Sequence, residues 1–140
     1  DLSNWLWKYI SMREKNIEKV APSSKTFFKN GMNGHSAVRC ITDLGNDMYL
    51  INRTDNKPDI KVLVADIYIA GEADILEISS NLHDIDCIVL IGFYNRYSNE
   101  AKKLAKSMNV GLFNYREFFG AIHYSGNAFI DYTQKERWLN

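Results

Sequence analysis

The sequence predicts an α/β domain on a mixed sheet, and three observations carry that expectation. Residues 47–70 read as two strands joined by the polar turn Thr54-Asp55-Asn56-Lys57-Pro58. Residues 86–93 form a continuous apolar run of strand length, as expected of a strand buried on both faces among parallel neighbours. After residue 71, helical and strand-like patterns alternate, the order that builds helices onto a sheet.

Taken in order, residues 1–20 predict an amphipathic helix. Leu2, Trp5, Leu6, Tyr9, Ile10, Ile17 and Val20 lie mostly on one face, and Ser3 is placed to cap it. Pro22 ends it. Residues 25–35 stay unassigned, because Asn30-Gly31 and Asn33-Gly34 are turn signals. Strands are expected over 36–43, 47–51 and 60–70. A short helix over 73–82 follows, with Ile75, Leu76, Ile78 and Leu82 at helical spacing. After the strand at 86–93, Ser98 should cap a helix whose Ala101, Leu104, Ala105 and Met108 face inward, with Lys102, Lys103 and Lys106 outward. A short strand over 110–113 leads to a helix started by Asn114 with Glu117 three residues on. The aromatic tail, 128–140, is expected to pack back on the domain.

The 140 residues fit one domain over 1–140, and the first residue, Asp1 rather than Met, is what a domain excised from a longer protein would show. Apolar residues make up 46% and the formal net charge is zero, which argues against a protein whose main business is gripping phosphate backbones. A local basic patch remains open to it. Cys40 and Cys87, each in an expected strand, should be two buried free thiols in a reducing compartment, hence cytoplasmic. No Cys/His pair has zinc spacing. No apolar run approaches the ~20 residues that span a bilayer, and no signal peptide opens the chain.

The element order resembles the restriction-endonuclease-like fold of the PD-(D/E)xK nucleases, with the Mrr-like branch most similar. The resemblance covers roughly residues 40–122. It rests on Ile88-Val89-Leu90-Ile91-Gly92-Phe93, the helix Ser98-Asn99-Glu100-Ala101-Lys102-Lys103-Leu104-Ala105-Lys106, Val110-Gly111-Leu112-Phe113 and Arg116-Glu117-Phe118-Phe119. It implies a three-layer sandwich, with an N-terminal antiparallel meander in a mixed sheet flanked by helices. It also implies a divalent metal, Mg²⁺, held by an Asp on the second strand and an acidic residue on the third, with a Lys two positions later.

That signature is incomplete. With the turn centred on Asn56-Lys57, Asp47 falls opposite Asp66, and Tyr68 takes the position expected of the Lys. No Lys occurs between Lys61 and Lys102. Pro58-Asp59-x-Lys61 looks like a fragment of the motif, but in that register Lys61 lies opposite Asn52, roughly 16 Å along the strand from Asp47. A metal site would rest on Asp47, Asp66 and Glu77 as a third carboxylate, with Glu14 an alternative. His35, His83 and His123 stand without a nucleophile partner, and Gly92 is a single glycine rather than part of a phosphate-cradling loop.

Two surfaces suggest partners. Arg96, Lys102, Lys103 and Lys106, with Tyr94 and Tyr97 nearby, form a basic and aromatic patch suited to DNA or RNA. Trp5 and Trp7 point to different helix faces, so one is a candidate protein contact. The leading expectation is a nuclease-like domain with a degenerate active site that needs no cofactor. It would serve nucleic-acid binding or protein–protein assembly within a nucleic-acid-processing system. The rivals are an active Mg²⁺-dependent endonuclease built on Asp47 and Asp66, and a Rossmann-like small-ligand sensor. The sensor would bind above the ends of residues 88–93 and 110–113 and would require a fully parallel sheet.

Overall fold

A computed structural model describes residues 17–82 and 84–134. Its centre is strand β4 (Ile60–Ile67), apolar on both faces because each face is covered by helices. One edge of β4 pairs antiparallel with β3 (Met48–Arg53), which pairs antiparallel with β2 (Val38–Gly45). The other edge pairs parallel with β6 (Cys87–Leu90), which pairs parallel with β8 (Gly111–Asn114). The order β2-β3-β4-β6-β8 makes a mixed sheet, as expected, and the antiparallel β3–β4 hairpin removes the fully parallel sheet of the ligand-sensor reading.

Alternation along β4 sends Ile60, Val62 and Val64 to one face, and Leu63, Ala65 and Ile67 to the other. The first face packs against α1 (Pro22–Asn33), α4 (Tyr115–Ala121) and α5 (Asn127–Ile130) through Phe28, Met32, Phe118, Ile122 and Phe129. The second packs against α2 (Glu72–Asn81) and α3 (Asn99–Ser107) through Ile75, Ile78, Ala101 and Ala105. The caps read from the sequence form. The Ser98 side chain accepts the Ala101 N–H, and Asn114 and Glu117 close a reciprocal capping box on α4.

Several expectations change. Most of the helix expected over 1–20, with Trp5, Trp7 and Glu14, lies outside the described residues, as do His83 and Trp138. Where description begins, Ile17–Glu18 is strand β1, paired with β4 as Ile17↔Ile67 and Glu18↔Asp66. The reason is that β3 starts opposite Leu63, so the last residues of β4 would otherwise have an unpaired edge. The unassigned segment is helix α1. Gly31 interrupts nothing there; a Cβ at that position would lie 2.0 Å from the Tyr115 hydroxyl, so the glycine admits α4 to the helix surface. The strand expected over 60–70 breaks at Tyr68, and β5 (Ile69–Ala70) pairs instead with β7 (Arg96–Tyr97). Cys87 is buried but Cys40 is exposed, because its position on β2 faces away from the core. Of the tail, Phe129 and Ile130 pack into the core. Among the described residues no helix is long and apolar enough to cross a membrane.

Arg53, buried at the end of β3, ties the chain together without a carboxylate. Its guanidinium donates to the carbonyls of Pro58 (2.9 Å), Ile122 (3.1 Å) and Tyr124 (2.6 Å) and to Ser125 Oγ (3.3 Å). The Ile122 and Tyr124 carbonyls belong to the C-terminal cap of α4 and the turn after it, groups that need donors. Arg53→Ala should lower unfolding stability by roughly 2–4 kcal/mol in urea titration, and Arg53→Lys should recover less than half, since one ammonium cannot span the fork.

Candidate functional site

Where each acidic residue falls is decided by two turns. Asn46 and Asp47 both have positive φ (53° and 64°), as do Asp55 and Asn56 (60° and 58°). Paired left-handed residues are the type I′ geometry, whose twist suits a hairpin. The β3–β4 turn thus centres on Asp55-Asn56, one residue earlier than the sequence suggested, and moves the register by two. Leu50 rather than Asn52 faces Lys61, and the Val64 N–H bonds the Asp47 carbonyl (2.9 Å). Asp47 is a turn residue opposite Val64, and the residue opposite Asp66 is Glu18.

Each carboxylate has its own partner. Lys25 of α1 reaches Asp47 Oδ1 at 2.9 Å, and the neighbouring Lys29 reaches Asp43 Oδ2 at 3.2 Å. The pair with Asp47 raises the Lys25 pKa, and the Gly45 N–H and Lys29 lower that of Asp43. Asp66 Oδ1 accepts from Asn95 Nδ2 at 3.0 Å. Asp47 and Asp66 share the α1 side of the sheet without facing each other. Glu77 belongs to α2, in the helix layer on the far side. Among the described residues no three His, Cys, Asp or Glu side chains gather as a metal-holding group, and Glu14, the alternative third carboxylate, lies outside them. The lysine that reaches Asp47 comes from α1, not from β4.

A crevice of about 820 Å³ opens above the carboxyl ends of β6 and β8. Phe27 and Ser24 of α1 form one wall, Tyr115, Arg116 and Phe119 of α4 another, and the loop after β6 the third. Asn95 shapes that loop. Its Oδ1 accepts the N–H groups of Gly92 (3.0 Å) and Ile67 (3.1 Å), while its Nδ2 is spent on Asp66. Gly92 is required there, since a Cβ would come within 2.3 Å of the Asn95 amide. The loop so fixed projects Phe93 and Tyr94 into solvent, 90% and 76% exposed, as an edge-to-face pair 5.0 Å apart. Arg116 is exposed and has no ion-pair partner among the described residues.

The basic patch is dismantled by the fold. Lys102 does not face out. It turns along the free edge of β8, donating to the carbonyls of Leu112 (2.6 Å) and Tyr132 (2.9 Å), with Nζ 4.2 Å from the Phe113 ring centre. Lys106 stays exposed but pairs with Asp131, and Lys103 and Arg96 are exposed without an ion-pair partner among the described residues, Arg96 above the Tyr68 ring. Tyr97 turns inward and donates to buried Glu117 (2.8 and 2.9 Å), which also accepts the N–H groups of Asn114 (3.2 Å) and Gln134 (3.3 Å). Burial, then Glu117, pushes the Tyr97 pKa up. His35 is also engaged, with Nε2 on the Phe119 carbonyl (2.9 Å) and Nδ1 accepting from Ala37 (3.0 Å), while its ring lies 5.0 Å from that of His123.

In comparison with known protein families, curated proteins and solved structures, the chain gives no match. The crevice residues therefore stand on their own geometry. The sequence signal that could have found them is Gly92-Phe93-Tyr94-Asn95, two large aromatics after a buried strand, bracketed by a glycine and an amide.

Burial lowers the Lys102 pKa to about 8, with nearby Glu117 opposing the shift. An unfolded lysine titrates near ~10.4. Between those values the unfolded chain holds a proton that the folded chain has lost, so this group makes stability rise with pH. Buried Cys87, whose thiol pKa is pushed up chiefly by desolvation with Lys102 the smallest opposing influence, gives the opposite slope above about pH 8.5 and largely cancels between wild type and variant. The stability of wild type relative to Lys102→Met should therefore increase from pH 7.5 to 10, as read from urea midpoints, and should be flat below pH 7.

Proposed function

We propose that the chain is a restriction-endonuclease-like domain that binds nucleic acid in this crevice and does not cut it. Support for the fold begins with the antiparallel meander β2-β3-β4 leading into parallel β6 and β8, with helices over both faces. Support for binding is the position of the crevice at the carboxyl ends of parallel strands, where α/β sheets present ligand sites. The observation that carries the reading is the contrast within that region. Phe93, Tyr94 and Arg116 are presented to solvent, whereas Asp47 and Asp66 are committed to Lys25 and Asn95. Aromatic faces beside an exposed guanidinium bind bases and phosphate.

Incubation of the full chain with labelled DNA and RNA in Mg²⁺ or Mn²⁺ should leave the nucleic acid intact. A gel-shift or anisotropy titration should show binding that Arg116→Ala weakens about tenfold, the value of one charge-assisted contact. Metal-dependent cleavage lost in Asp66→Ala would overturn the non-cutting reading in favour of an active nuclease. A free mononucleotide bound as tightly as an oligonucleotide would favour a small-ligand sensor.

A further inference from the structure

We infer that the crevice takes single-stranded nucleic acid, stacking exposed bases on Phe93 and Tyr94, and discriminates against duplex. The inference rests on the nucleic-acid reading and names the strand state that the surface selects. Its first support is the distribution of aromatic surface. Phe27 is 62% exposed at the crevice wall, and Phe93 and Tyr94 stand at its mouth. Arg96, two residues after Tyr94, reaches exposed Tyr68, whose carbonyl accepts the Arg96 N–H (3.1 Å) and whose ring carries the Arg96 guanidinium at 5.7 Å. Residues 93–96 thus carry two exposed rings and a planar cation that covers a third. A single strand has bases free to stack on such surfaces; a duplex hides its base faces.

The second support is what this surface lacks. Duplex recognition depends on many cations along the phosphates. Here the formal net charge is zero, Lys102 is bonded to two backbone carbonyls, and Lys106 is paired with Asp131. Arg116 lines the crevice and Arg96 follows the loop that carries Phe93 and Tyr94, two cations for phosphate, enough to position a strand but few for a duplex. The third support is volume. About 820 Å³ lies within the range of sites that hold small molecules, so one nucleotide can enter. The Asn95 amide faces the crevice but has both ends bonded to protein, which removes the residue best shaped to read a base edge. Binding should accordingly tolerate sequence.

The test is fluorescence anisotropy of the full chain with a labelled mixed-sequence 12-nucleotide DNA, the same sequence as RNA, and the matching DNA duplex, at 50 and 200 mM salt. Either single strand should bind at least tenfold tighter than duplex. With two phosphate contacts, log affinity should fall with log salt at a slope of about −1.4, far shallower than that of a backbone-gripping protein. Phe93→Ala should weaken single-strand binding about tenfold, and Phe93→Trp should restore it, as stacking requires. Because Phe93 is almost wholly exposed, both variants should melt with wild type, which circular dichroism checks. Duplex bound as tightly as single strand, or affinity indifferent to Phe93→Ala, would overturn the inference while leaving the nucleic-acid reading intact. No binding of any of the three would overturn both. If, in addition, wild type sedimented as a dimer that Phe93→Ala dissolved, the surface would be a protein interface instead.

Discussion

Two left-handed turns govern what this domain can hold. Asn46-Asp47 and Asp55-Asn56 fix the register of β2, β3 and β4, and with it the level at which every acidic residue of the meander sits. Asp47 becomes a turn residue within reach of Lys25, and Asp66 is left beyond the end of β3, beside β1 and under Asn95. One residue of difference in the turn centre separates this arrangement from a facing pair of aspartates. The consequences extend to β1, which closes the part of β4 that β3 does not reach.

The same economy of polar groups runs through the rest of the molecule. Arg53 collects the carbonyls at the end of α4, Lys102 covers the free edge of β8, and Glu117 accepts from Tyr97, Asn114 and Gln134. Charges that look free in the sequence are therefore structural. Among the exposed cations without an ion-pair partner in the described residues, Arg96 lies over Tyr68 and Arg116 lines the crevice with Phe93. The proposed ligand surface is drawn where polarity is unspent. A buried or paired charge has already exchanged water for a partner, so a ligand gains little from it.

Much of the architecture was legible in the sequence. The Ile88-Val89-Leu90 core of a parallel strand, the Ser98 cap and the Asn114/Glu117 box depend on local patterns and formed where read. What escaped depended on distant neighbours. Asn30-Gly31 signalled a turn, yet Gly31 is helical and makes room for Tyr115. Lys102 sits on the polar side of its helix by spacing, yet an exposed strand edge and the returning tail draw its ammonium in. The facing of Asp47 and Asp66 was argued from an assumed turn centre, and four polar residues in a row do not reveal which two will adopt positive φ. Phe93 continues an apolar run and so reads as buried strand, whereas β6 ends at Leu90 and the loop held by Asn95 leaves Phe93 exposed.

The central claim is that the ligand enters at the carboxyl ends of the parallel strands. Amide chemical-shift mapping of the labelled chain during titration with a short single-stranded oligonucleotide tests it most directly. Shifts should concentrate at residues 91–96 and 114–119 and in the first turns of α1, with β2 unmoved. Perturbations centred on α2, α3 or the outer face of β2, with the crevice silent, would contradict the account.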